Sequence, residues 1–245
     1  MSYFNGELLP QPNHEYVCWV DIMGMRNELE ESIVTSANYI FKLQANIIES
    51  KEPFSEIKVY PMMDGAYITC LNQQDMLTFL RRLFVITAQE FCNTTTIPYR
   101  FIIKASVSYG PIIHGCNVST DTNDFFKDEG EKTKNEVLVG IPMAQAFNHE
   151  HDAPPFGIYI DESARAFSPN GNPISHRWWR WYCGEEKFVV ENTVYDGKKI
   201  HALATMLKEK GNEYYDYMKK HTYESKYELD RIQEHEMYFN EYFDI

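Results

Sequence analysis

The sequence predicts an α+β domain, with one antiparallel sheet, helices packed on one face, and a helical extension at the C-terminus. Short runs rich in β-branched and aromatic residues alternate with longer stretches whose apolar residues recur every three or four positions. Their order is strand, long helix, hairpin, helix, strand, then a further strand–helix unit, which fits a single sheet carrying its helices on one side. The 245 residues, 44% of them apolar, can bury a full core, and no internal repeat is present.

The division expected is a leader over 1–14, one main domain over 15–200 and the helical extension over 201–245. The run YVCWVDIMG (16–24) is apolar and ends in glycine, as a buried strand does. Leu29, Ile33, Ala37, Ile40, Phe41, Leu43, Ile47 and Ile48 then follow helical spacing until Pro53 stops the helix. In EIKVYPMMDGAYITCL (56–71) two β-rich runs flank an Asp-Gly pair, the mark of a hairpin. A second helix is expected over 75–92, opened by Asp75, and a strand over 100–109. The polar stretch 117–136 reads as a long exposed loop. VLVGIPMAQAFNHE reads as a strand end and a helix, FGIYID (156–161) as a strand followed by a short helix, and HRWWRWY and FVVEN as strands. Residues 203–243, laden with charge and tyrosine, read as a solvated helical pair or a dimer contact.

The formal charge is −13. An acidic chain is a poor binder of the nucleic-acid backbone, so no nucleic-acid partner is expected, although a small anionic substrate needs only a local cationic cluster. The five cysteines are odd in number and none has C-x-x-C spacing, which suits reduced thiols in a cytoplasmic protein. The N-terminus lacks the pattern of a signal peptide, and no apolar run is long enough to span a membrane. In HRWWRWY the two arginines among tryptophans fit packing rather than single-strand binding. His149-Glu150-His151 has metal-ligand residue types without a spaced partner set, and reads as a polar helix end.

Asp21 and Asp64 stand out because each sits where a strand turns. A carboxylate among apolar residues costs several kcal/mol, as a rough figure, unless it is paired or metal-bound. Taken singly, Asp21 fits a helix N-cap and Asp64 fits ordinary Asp-Gly turn chemistry. Their joint occurrence favours a shared site.

Four segments, in order, carry a resemblance. VDIMGM (20–25), VYPMMDGAY (59–67), KASVSYGPIIHG (104–115) and LVGIPMAQAFN (138–148) are similar to the ordered motifs of the class III nucleotide cyclases. The resemblance implies a cyclase-like, ferredoxin-like antiparallel sheet. It implies that Asp21 and Asp64, with the carbonyl of Ile22, hold two Mg²⁺ or Mn²⁺ ions, and hard cations do take oxygen ligands. Lys104 falls where the family has a triphosphate-contacting arginine, and would serve as a point charge. The family's head-to-tail assembly implies a homodimer.

The departures are as informative. Tyr60 stands where purine cyclases carry a base-contacting lysine, and Val137 where they carry an adenine-contacting aspartate. Ala144 aligns with the ribose-orienting asparagine and Asn148 with the transition-state arginine, for which Arg100, Lys132 and Lys134 are candidate stand-ins. A tyrosine in the base position resembles the pyrimidine cyclases of bacterial Pycsar antiphage systems. The expectation is therefore a uridylate or cytidylate cyclase, UTP placed ahead of CTP, whose product signals to a separate cyclic-nucleotide-responsive effector. Two alternatives stay open: a catalytically weak or dead cyclase-like domain that binds nucleotide or dimerises, and an atypical purine cyclase. Tyr60 could equally be an ordinary strand tyrosine.

Overall fold

The structure is a computed structural model that describes residues 4–25, 32–127, 129–166, 177–190, 192–221 and 226–245. Leu29, counted in the first helical pattern, and His176 of the tryptophan-rich segment lie outside them.

Among the described residues, seven strands form the main sheet. Their order is β2 (Lys58–Met62), β3 (Gly65–Cys70), β1 (Asn13–Ile22), β4 (Ile103–His114), β6 (Ile158–Ile160) and β7 (Trp178–Trp179), with β5 (Leu138–Gly140) also on β4. All pairings are antiparallel except β4 with β6, a parallel pair inside the antiparallel sheet that the sequence predicts. A small separate ribbon joins β8 (Phe188–Val190) to β9 (Thr193–Tyr195).

The central strand β1 is an apolar run because both of its faces are covered. Tyr16, Cys18, Val20 and Ile22 enter the main core, while Val17 and Trp19 join Tyr60, Tyr67, Ile112 and Ala146 on the opposite face. The main core lies under α1 (Ile33–Lys51) and α2 (Gln73–Asn93). Ser32 caps α1 by accepting from the Thr35 amide. The cap of α2 is Asn72, which accepts from the amides of Gln74 and Asp75, so the helix starts before the aspartate that signals it in the sequence. α2 is buried on most sides because β3, α1 and α6 (Gly197–His221) all pack on it. Its buried Arg81 and Arg82 are satisfied by carbonyls, Arg81 by Trp181 and Cys183, Arg82 by Ser50, Glu49 and Val189.

The helical extension is present as α6 and α7 (Lys226–Tyr242), and its inner face corrects the expectation of a solvated pair. Ile200, Leu203, Leu207 and Tyr215 of α6, with Phe239, Tyr242 and Phe243 at the chain end, belong to the main core. Gly211 permits this, since a Cβ there would stand 2.3 Å from the Phe239 ring. The segment expected as a long loop is also more ordered. It folds into three 3₁₀ turns and the helix α3 (Glu129–Asn135), tied down by Lys134, whose buried Nζ donates to the Val118 carbonyl at 2.7 Å. The tryptophan-rich segment packs: Trp181 is fully buried and its Nε1 donates to the Phe156 carbonyl at 2.9 Å.

One short helix, α4 (Ile141–His149), lies on the other face of the sheet. Ala146 packs there against Val17 and Trp19, and Phe147 meets the Trp19 ring at 5.6 Å. A further short helix, α5 (Glu162–Ala166), follows β6. Among the described residues no helix is long and apolar enough to cross a membrane.

Candidate active site

Alternation along β1 sends Asp21 to the face opposite the main core, two residues beyond Trp19. Its register partners are Gly65 on β3 and Lys104 on β4. Asp64 immediately precedes Gly65 in the two-residue turn between β2 and β3. The hairpin can lie this close only because residue 65 is glycine: a Cβ would sit 2.4 Å from the Val20 carbonyl and 2.8 Å from the Trp19 ring. The turn is completed by Met63 at φ +44°, and Gln44 of α1 anchors it by donating to the Gly65 carbonyl at 3.2 Å. Three of the sequence-predicted residues, Asp21, Asp64 and Lys104, are thus brought to one place.

The electrostatics bind them together. Burial pushes the Asp21 carboxyl up from 3.8 to about 8, with the charges of Asp64 and Glu150 adding to the rise and the Ile22 amide and Lys104 opposing it. Its Oδ1 is buried and has no hydrogen-bond partner among the described residues. An orphaned carboxylate oxygen is expensive, and crowding it with other carboxylates makes it more so. A divalent cation removes both costs, so the residues present fit the ions that the resemblance implies. Ile22 pairs with Ile103 and buries its side chain in the main core, so only its backbone is available to such a site. Among the described residues no group of three or more His, Cys, Asp or Glu could hold a metal by itself, so phosphate or water oxygens would complete the shell.

Lys104 is only 6% exposed. Burial holds its amine below the ordinary range, while Glu150, Asp152, Asp21 and Glu234 pull it back up. Glu150, at the end of α4, is read from the sequence only as part of a polar helix end, and its link to the two aspartates was missed. Its carboxyl is raised by burial and by Asp64 and lowered by Lys104 and His151, so it belongs to the same cluster. Beside it, His149 bonds Asp152 at 3.0 Å and stacks on Tyr159, which makes the helix end polar as expected.

Tyr60 shares the face of Asp21 but lies further along, on the edge strand β2, opposite Tyr67. Its hydroxyl is not free: it bonds Nδ1 of His114 at 2.6 Å, and the two rings stack. Val137 precedes β5 and is exposed; Ala144 and Asn148 are exposed on α4. Two of the candidate stand-ins have structural work instead. Arg100 donates to the carbonyls of Thr94 and Lys210 and lies over Phe91, and Lys134 holds Val118. Lys132 is exposed on α3. A cavity of about 680 Å³ between the end of α1, α2 and β8, lined by Glu49, Phe54, Arg82 and Phe188, is separate from this cluster.

No protein-family model matches the chain, and no curated protein matches it. Solved structures do. The guanylyl cyclase Cya2 is 10% identical with a TM-score of 0.53, over 77% of this chain and 93% of that one. A bacterial light-regulated adenylyl cyclase is 10% identical with a TM-score of 0.51, over 83% of this chain and 60% of that one. The guanylyl cyclase domain of the RhoGC fusion protein from the aquatic fungus Blastocladiella emersonii, as a double mutant, is 12% identical with a TM-score of 0.50, over 76% and 94%. At such identities the likeness is one of architecture, and in architecture the chain has the α+β fold of class III cyclase domains.

Proposed function

We propose that this chain is a nucleotide cyclase that converts UTP or CTP into the 3′,5′-cyclic monophosphate and pyrophosphate. The carrying observation is the buried Asp21 carboxylate with an unpartnered oxygen, crowded by Asp64 and Glu150 and flanked by Lys104. Such a cluster has a use where cations and a polyphosphate meet, and little use in a merely structural sheet.

In the reaction the ribose 3′ oxygen forms a bond to the α-phosphorus, the bond from that phosphorus to the β-phosphate bridge breaks, and the hydroxyl proton is released. Mg²⁺ or Mn²⁺ bound by Asp21, Asp64 and the Ile22 backbone would supply Lewis acidity at the 3′ oxygen and charge neutralisation at the leaving pyrophosphate. Lys104 meets the triphosphate as a cation, and its burial strengthens that attraction over what it would be in water. Trp19, Tyr67 and Phe147 form an aromatic wall beside Asp21 that limits water there.

Pyrimidine choice rests on Tyr60 in place of a lysine and on Val137 in place of an aspartate. A homodimer is part of the reading, supported by exposed Ile141 and Phe147 on α4, which lies on the sheet face that carries Asp21. The resemblance to Pycsar cyclases supports a role for the product as a second messenger in antiphage defence, read by a separate effector.

The test is metal-dependent pyrophosphate release from each of the four nucleoside triphosphates, under Mg²⁺ and Mn²⁺, with the product identified by mass spectrometry. Cyclic UMP or cyclic CMP is expected. Cyclic AMP or cyclic GMP as the main product would replace the pyrimidine reading with an atypical purine cyclase. No product with any substrate would leave a nucleotide-binding or dimerisation domain.

A further inference from the structure

A buried polar chain crosses the face that carries Asp21. Glu15 on β1 is 4% exposed, His114 at the end of β4 is 1% exposed, and Tyr60 on β2 is 8% exposed. Glu15 Oε1 lies 3.0 Å from His114 Nε2, and His114 Nδ1 lies 2.6 Å from the Tyr60 hydroxyl. The three residues come from three strands and are far apart in sequence. Hydrogen bonding of this kind is costly to bury unless every member is matched.

The matching has one self-consistent form with a neutral ring. A carboxylate only accepts, so Nε2 must carry the proton. Nδ1 is then the acceptor, and the Tyr60 hydroxyl must donate to it. With its proton committed, the phenol oxygen has only lone pairs to offer a ligand. We propose that Glu15, acting through His114, fixes Tyr60 as a hydrogen-bond acceptor and thereby decides between uracil and cytosine. The proposal rests on the pyrimidine-cyclase reading above. Glu15 and His114 touch no substrate in it and are positioning residues.

The chemistry of the two bases makes hydrogen-bond polarity a sufficient discriminator. At ring position 4 uracil presents a carbonyl acceptor and cytosine an amino donor. At position 3 the roles reverse, with N–H in uracil and a lone pair in cytosine. A tyrosine of fixed polarity therefore prefers one base at whichever of these positions it meets. A tyrosine free to turn its hydroxyl satisfies both and distinguishes neither.

The experiment compares kcat and KM for UTP and CTP in the wild type, Glu15→Gln and Tyr60→Phe, with circular dichroism as the folding control. The ¹⁵N resonances of the His114 ring in the full chain are recorded alongside. The Nε2–H tautomer is expected in the wild type. Glu15→Gln replaces an obligate acceptor with an amide that can also donate, so the UTP-to-CTP ratio should move towards parity by about tenfold or more, chiefly in KM, as expected for a contact to the base. Tyr60→Phe should do the same without disturbing the carboxylate. An Nδ1–H or doubly protonated His114, or an unchanged base ratio in folded Glu15→Gln, overturns the proposal; should that variant not fold, an unchanged ratio in Tyr60→Phe does so. Failure of the underlying reading is seen separately, in the wild type alone, as no turnover of either pyrimidine nucleotide, and it takes the proposal with it.

Discussion

On the helix side of β1, Tyr16, Cys18, Val20 and Ile22 are buried among apolar side chains, and the polar groups left unpartnered in the helix layer among the described residues, Ser36 Oγ, Gln73 Nε2 and the Tyr215 hydroxyl, are uncharged. On the other side, Glu15, Trp19 and Asp21 alternate with them on the same ten-residue strand, and burial there creates demands. Glu15 meets its demand through His114 and Tyr60. Asp21 leaves Oδ1 unmet, and Ser106 and Ser108 on β4 each leave a buried hydroxyl oxygen without a partner among the described residues. One face is organised to hold the fold together. The other carries a standing electrostatic cost that a ligand can relieve, which is how binding sites differ from cores of equal burial.

The comparison is broken most decisively at Asp21. Asp21→Asn keeps the shape and removes the charge. Turnover should fall by at least about a thousandfold, the scale set by losing several kcal/mol of electrostatic transition-state stabilisation. Thermal stability without metal should stay the same or rise, because an unpaired buried carboxylate has been neutralised. Asp64→Ala should show the same loss of activity. Differential scanning fluorimetry beside the pyrophosphate assay reads both quantities. A folded Asp21→Asn protein that turns over at near wild-type rate would remove the carboxylate from the chemistry.

The opposite experiment belongs on the helix side. Phe79 of α2 is fully buried in the main core. Phe79→Ala should cost about 3–5 kcal/mol, from lost transfer energy and the cavity left behind. Urea unfolding measures it, and a cost under about 1 kcal/mol would mean that the core side collapses to fill the gap. Between the faces stands Gly65, whose missing Cβ lets the hairpin touch both Val20 and Trp19. Gly65→Ala should cost about 1–3 kcal/mol by overpacking. It should also lower turnover disproportionately, because the displaced turn carries Asp64. Equal losses in Gly65→Ala and in a core variant of matched stability would deny the turn a positioning role.

What the sequence made legible follows the same division. The strands and helices of the core side repeat their signals locally, every second or every third and fourth residue, and both acidic turns lie inside such patterns. Asp21, Asp64 and Lys104 converge because neighbouring strands carry them in matched register. Glu150 stands in a run of metal-ligand residue types, but nothing local links it to the two aspartates. Its place near Lys104 and Asp64 depends on how α4 crosses the sheet, a tertiary fact. The hydroxyl of Tyr60 was equally unreadable, since its partner His114 lies 54 residues away. The helical character of α6 could be read, but its burial could not: Lys is its commonest residue, while Ile200, Leu203, Leu207 and Tyr215 mark a single narrow inner stripe.

The smallest effect tests where the extension meets the charged face. His235 on α7 is held down from 6.5 to about 4, by burial first and then by the charges of Lys104 and Arg231. Its neutral form is therefore the one the fold accepts. As pH falls below 6.5 the unfolded chain takes up a proton at this residue and the folded chain does not, so stability declines until about pH 4, where the folded form also protonates. The contribution is fully present above pH 6.5 and lost below about 4, worth about 2–3 kcal/mol across the window from the usual cost per pKa unit. Carboxylates titrate over the same range, so the readout is a difference. Urea unfolding of the wild type and of His235→Gln, measured at steps between pH 7 and pH 4, should show the wild type losing stability more steeply than the variant. Parallel curves would mean that His235 is solvated in solution, and that α7 does not press against the Lys104 end of the site.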